Sequence, residues 1–226
     1  MTGRISIDRR TAPEQIAQGL KELVLSQALP AGRSIRESAL AAELGVSRNT
    51  VREAVRILER SGLVRYEVNR GAVVREPSAD SLRDLYRARL AIEVGAALAA
   101  PTEAAAVALR GALDQLLAAL AAGDEEAAVA ADLAFHATVV RGARSARLDT
   151  AYAPIANELR LYLTILAEQR REYADRDRVA AEHEVIVAAF EAGDGPLAAH
   201  ELGEHIRGNA ARMAVLLDGA PHPEPA

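Results

Sequence analysis

The 226-residue chain has no cysteine and no tryptophan, and it carries only two phenylalanines and five tyrosines. Without thiols there is no disulfide framework, no thiolate zinc site and no cysteine nucleophile. With so few rings, a surface that stacks single-stranded bases is disfavoured. No uninterrupted apolar run reaches the roughly 18–20 residues that span a bilayer. The first residues, MTGRISIDRR, lack the apolar stretch of a secretory signal. A cytoplasmic protein with no membrane partner is expected. Half of the residues are hydrophobic, which is enough for a sizeable core and argues against wholesale disorder. The length suits one large domain or two modest ones.

The net charge of −5 hides a division. Residues 1–76 hold thirteen basic side chains against nine acidic ones, a net +4, and twelve of the thirteen are arginine. The remainder holds fourteen basic and twenty-three acidic residues, a net −9. A basic front and an acidic back suggest that only the front meets a polyanion. Arginine is the side chain best suited to forked contacts with phosphate and guanine.

Along the chain, Pro13 opens a helical pattern with Ile16, Leu20, Leu23 and Val24 near one face. A short helix over 37–44 follows, with Leu40, Ala41 and Leu44 expected inward and Gly45 ending it. Ser47 is a good N-cap for a third helix with Val51, Val55 and Leu58 buried. LVRYEV and AVVRE, joined at Asn69-Arg70-Gly71, form a hairpin in which Gly71 can take a positive φ. Helix, helix, tight turn, helix, hairpin is a winged helix-turn-helix. The run LPAGRSIRESALAAELGVSRNTVREAVRILERSGLVRYEVNRGAVV resembles the DNA-binding half of the GntR superfamily of bacterial transcription regulators. LGVSRNTVREAV is its most specific part.

The start of a recognition helix enters the major groove, so the residues after the cap face base edges and phosphates. Ser47 and the helix N-terminus favour a phosphate. The resemblance implies DNA contacts at Arg48, Asn49, Thr50 and Arg52, with Arg48 or Arg52 on a guanine and Asn49 on an adenine. Arg36 is expected at the DNA backbone, and Gly71 at the wing tip near the minor groove. Arg56 and Arg60, further along the helix, read as solvated positions. Some family members carry an arginine where this chain has Ser38.

After residue 76 the pattern is helical throughout, with breaks that predict six helices over 79–100, 102–122, 124–141, 146–171, 177–192 and 195–217 and a kink at Pro154. The fold class is therefore mainly α: a winged helix-turn-helix domain over 1–76, an all-α antiparallel bundle over 77–220, and a flexible tail over 221–226. Five histidines stand in the second part. Asp132 and His136 share a helix face. His183 lies about ten residues before the turn at 193–196 and His205 about ten after it, so an antiparallel pair of helices brings them level. One aspartate and three histidines from three helices suit a divalent transition metal, Zn2+ or Ni2+ first, Mn2+ or Fe2+ next. A surface or capping Asp/His pair satisfies the same spacing.

DLAFH, EHEVIVAAFEAGD and HELGEH resemble the FCD effector domain of the FadR-like branch. That resemblance implies Asp132, His136, His183 and His205 as the ligands, one for one. Glu182 is a candidate partner of the ligand sphere, while His200 and His222 read as solvated. Ser145-Ala146-Arg147-Leu148 departs from the Asn-Pro-Arg-Leu-like step common in the family. Arg89 and Glu93 match an Arg-x-x-x-Glu feature whose arginine meets an effector carboxylate in some relatives. The residues alone equally allow a surface pair four apart.

The expected protein is a dimeric transcription regulator, a repressor by the family pattern, that reads a palindromic double-stranded DNA operator. Its metal-containing pocket would take a small organic acid. A constitutive DNA-binding protein with a structural metal is one alternative. A metal-dependent enzyme is another, disfavoured by the lack of a general base or serine nucleophile motif.

Overall fold

The computed structural model describes residues 10–167 and 175–218, and the chain divides into two compact units, 1–75 and 76–226. The expected tail 221–226, His222 and residues 168–171 of the fourth predicted helix lie outside the described residues.

The first unit contains α1 (Ala12–Leu25), α2 (Glu37–Leu44), α3 (Arg48–Arg60), β1 (Val64–Glu67) and β2 (Gly71–Val74). Thr11 and Glu14 close a reciprocal capping box at the start of α1, with Pro13 in its first turn. Gly45 ends α2 in the left-handed conformation at φ 66°, where a side chain would be strained. Helix α1 packs on α3, and Leu20, Val24, Val51, Val55 and Leu58 form the shared core. Leu23 and Leu44, expected inward, are 47% and 46% exposed. Ala41 is buried as expected, and Ala17 joins Leu20 and Val24 on the buried face of α1.

Strands β1 and β2 pair antiparallel with Val64 opposite Val74 and Glu67 opposite Gly71. Asn69 and Gly71, at φ 67° and 71°, give the connecting turn its left-handed steps. The hairpin has an unforeseen neighbour. Ser34 bridges to Val73, and Ile35 donates its amide to the Ala72 carbonyl at 2.8 Å. One bridging residue leaves no alternation to detect in the sequence.

The second unit is helical: α4 (Ala79–Arg89), a π-helical turn (Leu90–Val94), α5 (Gly95–Ala99), α6 (Glu103–Ala122), α7 (Glu125–Gly142), α8 (Ala146–Ala167), α9 (Arg176–Glu191) and α10 (Gly195–Asp218). The helix predicted over 79–100 is thus interrupted at 90–94. Glu93 within this turn is fully buried, and five residues are too few for sequence periodicity to separate the turn from an α-helix. Ser78, Thr102, Asp124 and Asp175 cap α4, α6, α7 and α9 with their side chains. Pro154 lies inside α8, which continues past it.

Helix α6 packs on α7 and α9 through Leu109, Leu113 and Leu116. Among the described residues it is the helix long and apolar enough, by length and composition, to cross a membrane. A search for unbroken apolar runs passes over it because Arg110 and Asp114 interrupt the sequence. Helix α10 lies against α9, α4, α5 and the π turn, and these contacts bring the polar side chains described next into one core.

Candidate functional site

In the first unit, the site is the outer face of α3. Ser47 is extended at φ −69° and ψ 148°, and its Oγ accepts the Thr50 amide at 3.1 Å. Val51, Ala54, Val55 and Leu58 point into the core. That leaves Arg48, Asn49 and Arg52 exposed and Thr50 half-buried at the start of the helix. Arg52 Nη2 donates to Asn49 Oδ1 at 2.7 Å, so these two side chains are presented together. Arg56 and Arg60 are exposed farther along the helix. Arg36 is exposed at the head of α2, and Gly71 is exposed at the wing.

Two anchors hold the wing. Tyr66 Oη donates to Glu37 Oε1 at 2.6 Å, and Arg70 bonds Glu67 Oε2 at 2.7 Å and the Gly32 carbonyl at 2.9 Å. Burial, then the Glu37 carboxylate, pushes the Tyr66 hydroxyl up to about 12.

In the second unit, Asp132 and His136 from α7, His183 from α9 and His205 from α10 meet in the core. All four are buried, and one ligand atom from each lies within 4.8 Å of the others. His200 is exposed and does not join them.

Each imidazole is held by its Nδ1. That of His136 faces Glu93 Oε2 at 2.6 Å, that of His183 faces the Val179 carbonyl at 2.8 Å, and that of His205 faces Glu182 Oε2 at 3.0 Å. All three partners are acceptors, so Nδ1 carries the proton and Nε2 carries a lone pair. Burial, opposed by Glu182, brings His205 down to about 4, which leaves its imidazole neutral near pH 7.

Three lone pairs and a carboxylate converging in a core repel one another, and a cation relieves that repulsion. The Nε2 atoms of His136 and His205 are 3.2 Å apart, and His183 Nε2 is 3.0 Å from Asp132 Oδ1. Donors about 2.0–2.1 Å from a tetrahedral ion lie roughly 3.3 Å from each other, so this set fits a metal of that size. Asn209 Nδ2 approaches His205 Nε2 at 3.0 Å. Glu182 also receives Arg178 at 3.2 Å and Arg212 at 3.1 Å, and its carboxyl falls to about 2 because His205, with these two arginines, outweighs its burial.

Arg89 is not on the surface. It is 1% exposed and donates Nε to Glu93 Oε1 at 2.7 Å. Burial opposes its charge, and Glu93 more than compensates, raising its pKa further. Among the described residues, Arg89 Nη2 is buried without a hydrogen-bond partner. The guanidinium lines a cavity of about 20 Å3 together with Asp132, His183, His205, Asn209 and Met213. That volume is close to one water molecule.

The family model for bacterial regulatory proteins of the gntR family matches residues 12–74, and that for the FCD domain matches residues 84–208. The chain belongs to the gntR family and carries an FCD domain. The regulator is 33% identical over 202 residues to the probable D-xylose utilization operon transcriptional repressor of Paenarthrobacter nicotinovorans, covering 88% of each chain. It is 26% identical to the gluconate operon transcriptional repressor of Bacillus licheniformis, covering 84% of this chain and 80% of that one. The crystal structure of a GntR transcriptional regulator from Rhodococcus sp. RHA1 superposes with a TM-score of 0.76 at 27% identity. It covers 92% of this chain and 99% of that one. The family and these relatives are DNA-binding transcription regulators rather than enzymes.

Three polar residues of the regulator, two buried and one half-buried, escape a reading of its sequence. Glu93 looks like the second half of a surface pair. Tyr152, whose hydroxyl donates to Glu93 Oε1 at 2.9 Å, looks like an ordinary helical aromatic. Asn209 follows His205 by one turn, and that i, i+4 spacing is the one signal that could have found it.

Proposed function

We propose that the regulator is a ligand-responsive repressor that binds a palindromic operator as a homodimer. In this reading, Arg48, Asn49, Thr50 and Arg52 enter the major groove, Ser47 and Arg36 meet phosphates, and the wing at Gly71 approaches the minor groove. Asp132, His136, His183 and His205 hold a divalent transition metal, Zn2+ or Ni2+ before Mn2+ or Fe2+. When bound, the metal supplies a Lewis-acid position for an oxygen of an organic acid. Arg89 meets the acid's carboxylate. Relatives named for a D-xylose operon and a gluconate operon support repression and a sugar-derived effector class.

The observation that carries this reading is the convergence of the four ligand atoms beside a buried guanidinium with an unpartnered Nη2. A cavity of about 20 Å3 is too small for a sugar acid. Effector binding therefore requires the lining helices to part, and that difference between bound and free arrangements is what a regulatory equilibrium needs. The same small, buried cavity favours a second reading, in which the metal is structural and DNA binding is constitutive.

The test is operator binding by the metal-loaded protein in the presence of a panel of aldonic and hydroxy acids, with thermal shift in parallel. A ligand-responsive repressor gives at least one acid that raises Tm and releases DNA. No response from any acid, with metal bound and DNA binding intact, leaves the structural-metal reading.

A further inference from the structure

We propose that Glu93, on the π-helical turn, is a positioning residue that orients His136 for the metal and ties that ligand to Arg89. This inference rests on the metal-centre reading above. Glu93 sits 43 residues before His136 in the chain and on a different element, yet it is fully buried and its two oxygens are divided between two tasks. Oε2 takes the His136 Nδ1 proton at 2.6 Å. Oε1 takes Arg89 Nε at 2.7 Å and Tyr152 Oη at 2.9 Å.

The first contact fixes the His136 tautomer, keeps Nε2 free as the ligand atom and holds the ring's rotation. The second contact supplies the positive charge that lets a carboxylate stay ionised in a dry core. The other two histidines are served differently. His183 donates to a backbone carbonyl of its own helix, and His205 donates to Glu182, a quarter exposed and shared with two arginines. His136 alone of the three is joined by one carboxylate to the guanidinium that lines the cavity. Anything that draws Arg89 away from Glu93 is felt at His136 through two hydrogen bonds.

Glu93 lies within a π-helical turn that continues into α5, and its side chain, four residues after Arg89, shares the inward face with it. Such turns recur at functional positions, where the irregular backbone is retained for what it presents.

The test is metal affinity of the full chain, measured with Co2+ or Zn2+ alone by chelator competition and, for Co2+, by its ligand-field spectrum. Glu93→Gln should weaken binding roughly 10- to 100-fold, as loss of a partner to a ligating histidine does, and should alter the Co2+ spectrum. Because Glu93→Gln leaves Arg89 as an unpaired buried charge, the paired variant Glu93→Gln with Arg89→Met keeps the test open if the single variant fails to fold. That pair should regain thermal stability but not metal affinity. Tyr152→Phe should weaken affinity by roughly two- to tenfold, the scale of one hydrogen bond. Unchanged metal affinity and spectrum in a folded Glu93→Gln protein, or in the paired variant, overturns the inference. Failure of the wild-type protein to bind either metal overturns the metal-centre reading beneath it.

Discussion

The two units of this regulator place their polar side chains in opposite ways. In the first, Arg48, Asn49 and Arg52 stand exposed on α3, and the only bond among them that fixes a guanidinium is the one from Arg52 to Asn49. In the second, Asp132, His136, His183 and His205 are buried, and every imidazole is held by an acceptor. The difference follows from partner size. A duplex is wide and already charged, so it is met by long cations kept in water, and the core beneath them is purely apolar. A metal ion would be small and would have to be surrounded, and donors desolvated in advance suit it, at the cost of their mutual repulsion in the fold. Binding and stability are therefore separable in the first unit and coupled in the second.

Ways to break this comparison can be ranked by expected effect. Raising salt from about 50 to 200 mM should cut operator affinity by roughly a thousandfold through counterion release, and elemental analysis after the same step should find the metal content unchanged. A flat salt response in gel-shift titrations contradicts an arginine-led DNA face. Phe135→Ala should cost about 3–5 kcal/mol in denaturant melts, because the fully buried ring stands edge-on to His183 at 4.7 Å. It should also lower metal occupancy, and a stable variant with full occupancy breaks the coupling claimed for the second unit. Arg52→Ala should weaken operator binding by about 1–3 kcal/mol in anisotropy titrations and leave Tm unchanged. A large fall in Tm would show that the exposed face carries stability after all. Ser47→Ala is the smallest, about 1 kcal/mol of stability from the lost cap of α3, read from chemical denaturation.

Much of this was legible in the sequence where a local rule decides it. Ser47, Asp124 and Gly45 mark helix ends through the chemistry of their own backbones. The spacing of Asp132, His136, His183 and His205 survives folding because all four sit on regular helices. What was not legible depends on distant partners. Leu23 and Leu44 are large and apolar yet exposed, while the smaller Ala17 is buried on α1. Ser34 joins the wing through one bridge. Arg89 and Glu93 stand four apart, like a common solvated pair. Only the π turn and the arrival of His136 and Tyr152 from α7 and α8 show that the pair is buried. An arginine and a glutamate carry no sign in themselves of which side of a helix will be covered.

The most direct test is the metal content of the purified full-length protein by elemental analysis, compared with a His183→Ala, His205→Ala variant shown to be folded. The account expects one divalent transition-metal ion per chain in the wild type and close to none in the variant, with operator binding through α3 still measurable. A wild type without metal, or a variant that keeps its full complement, contradicts it.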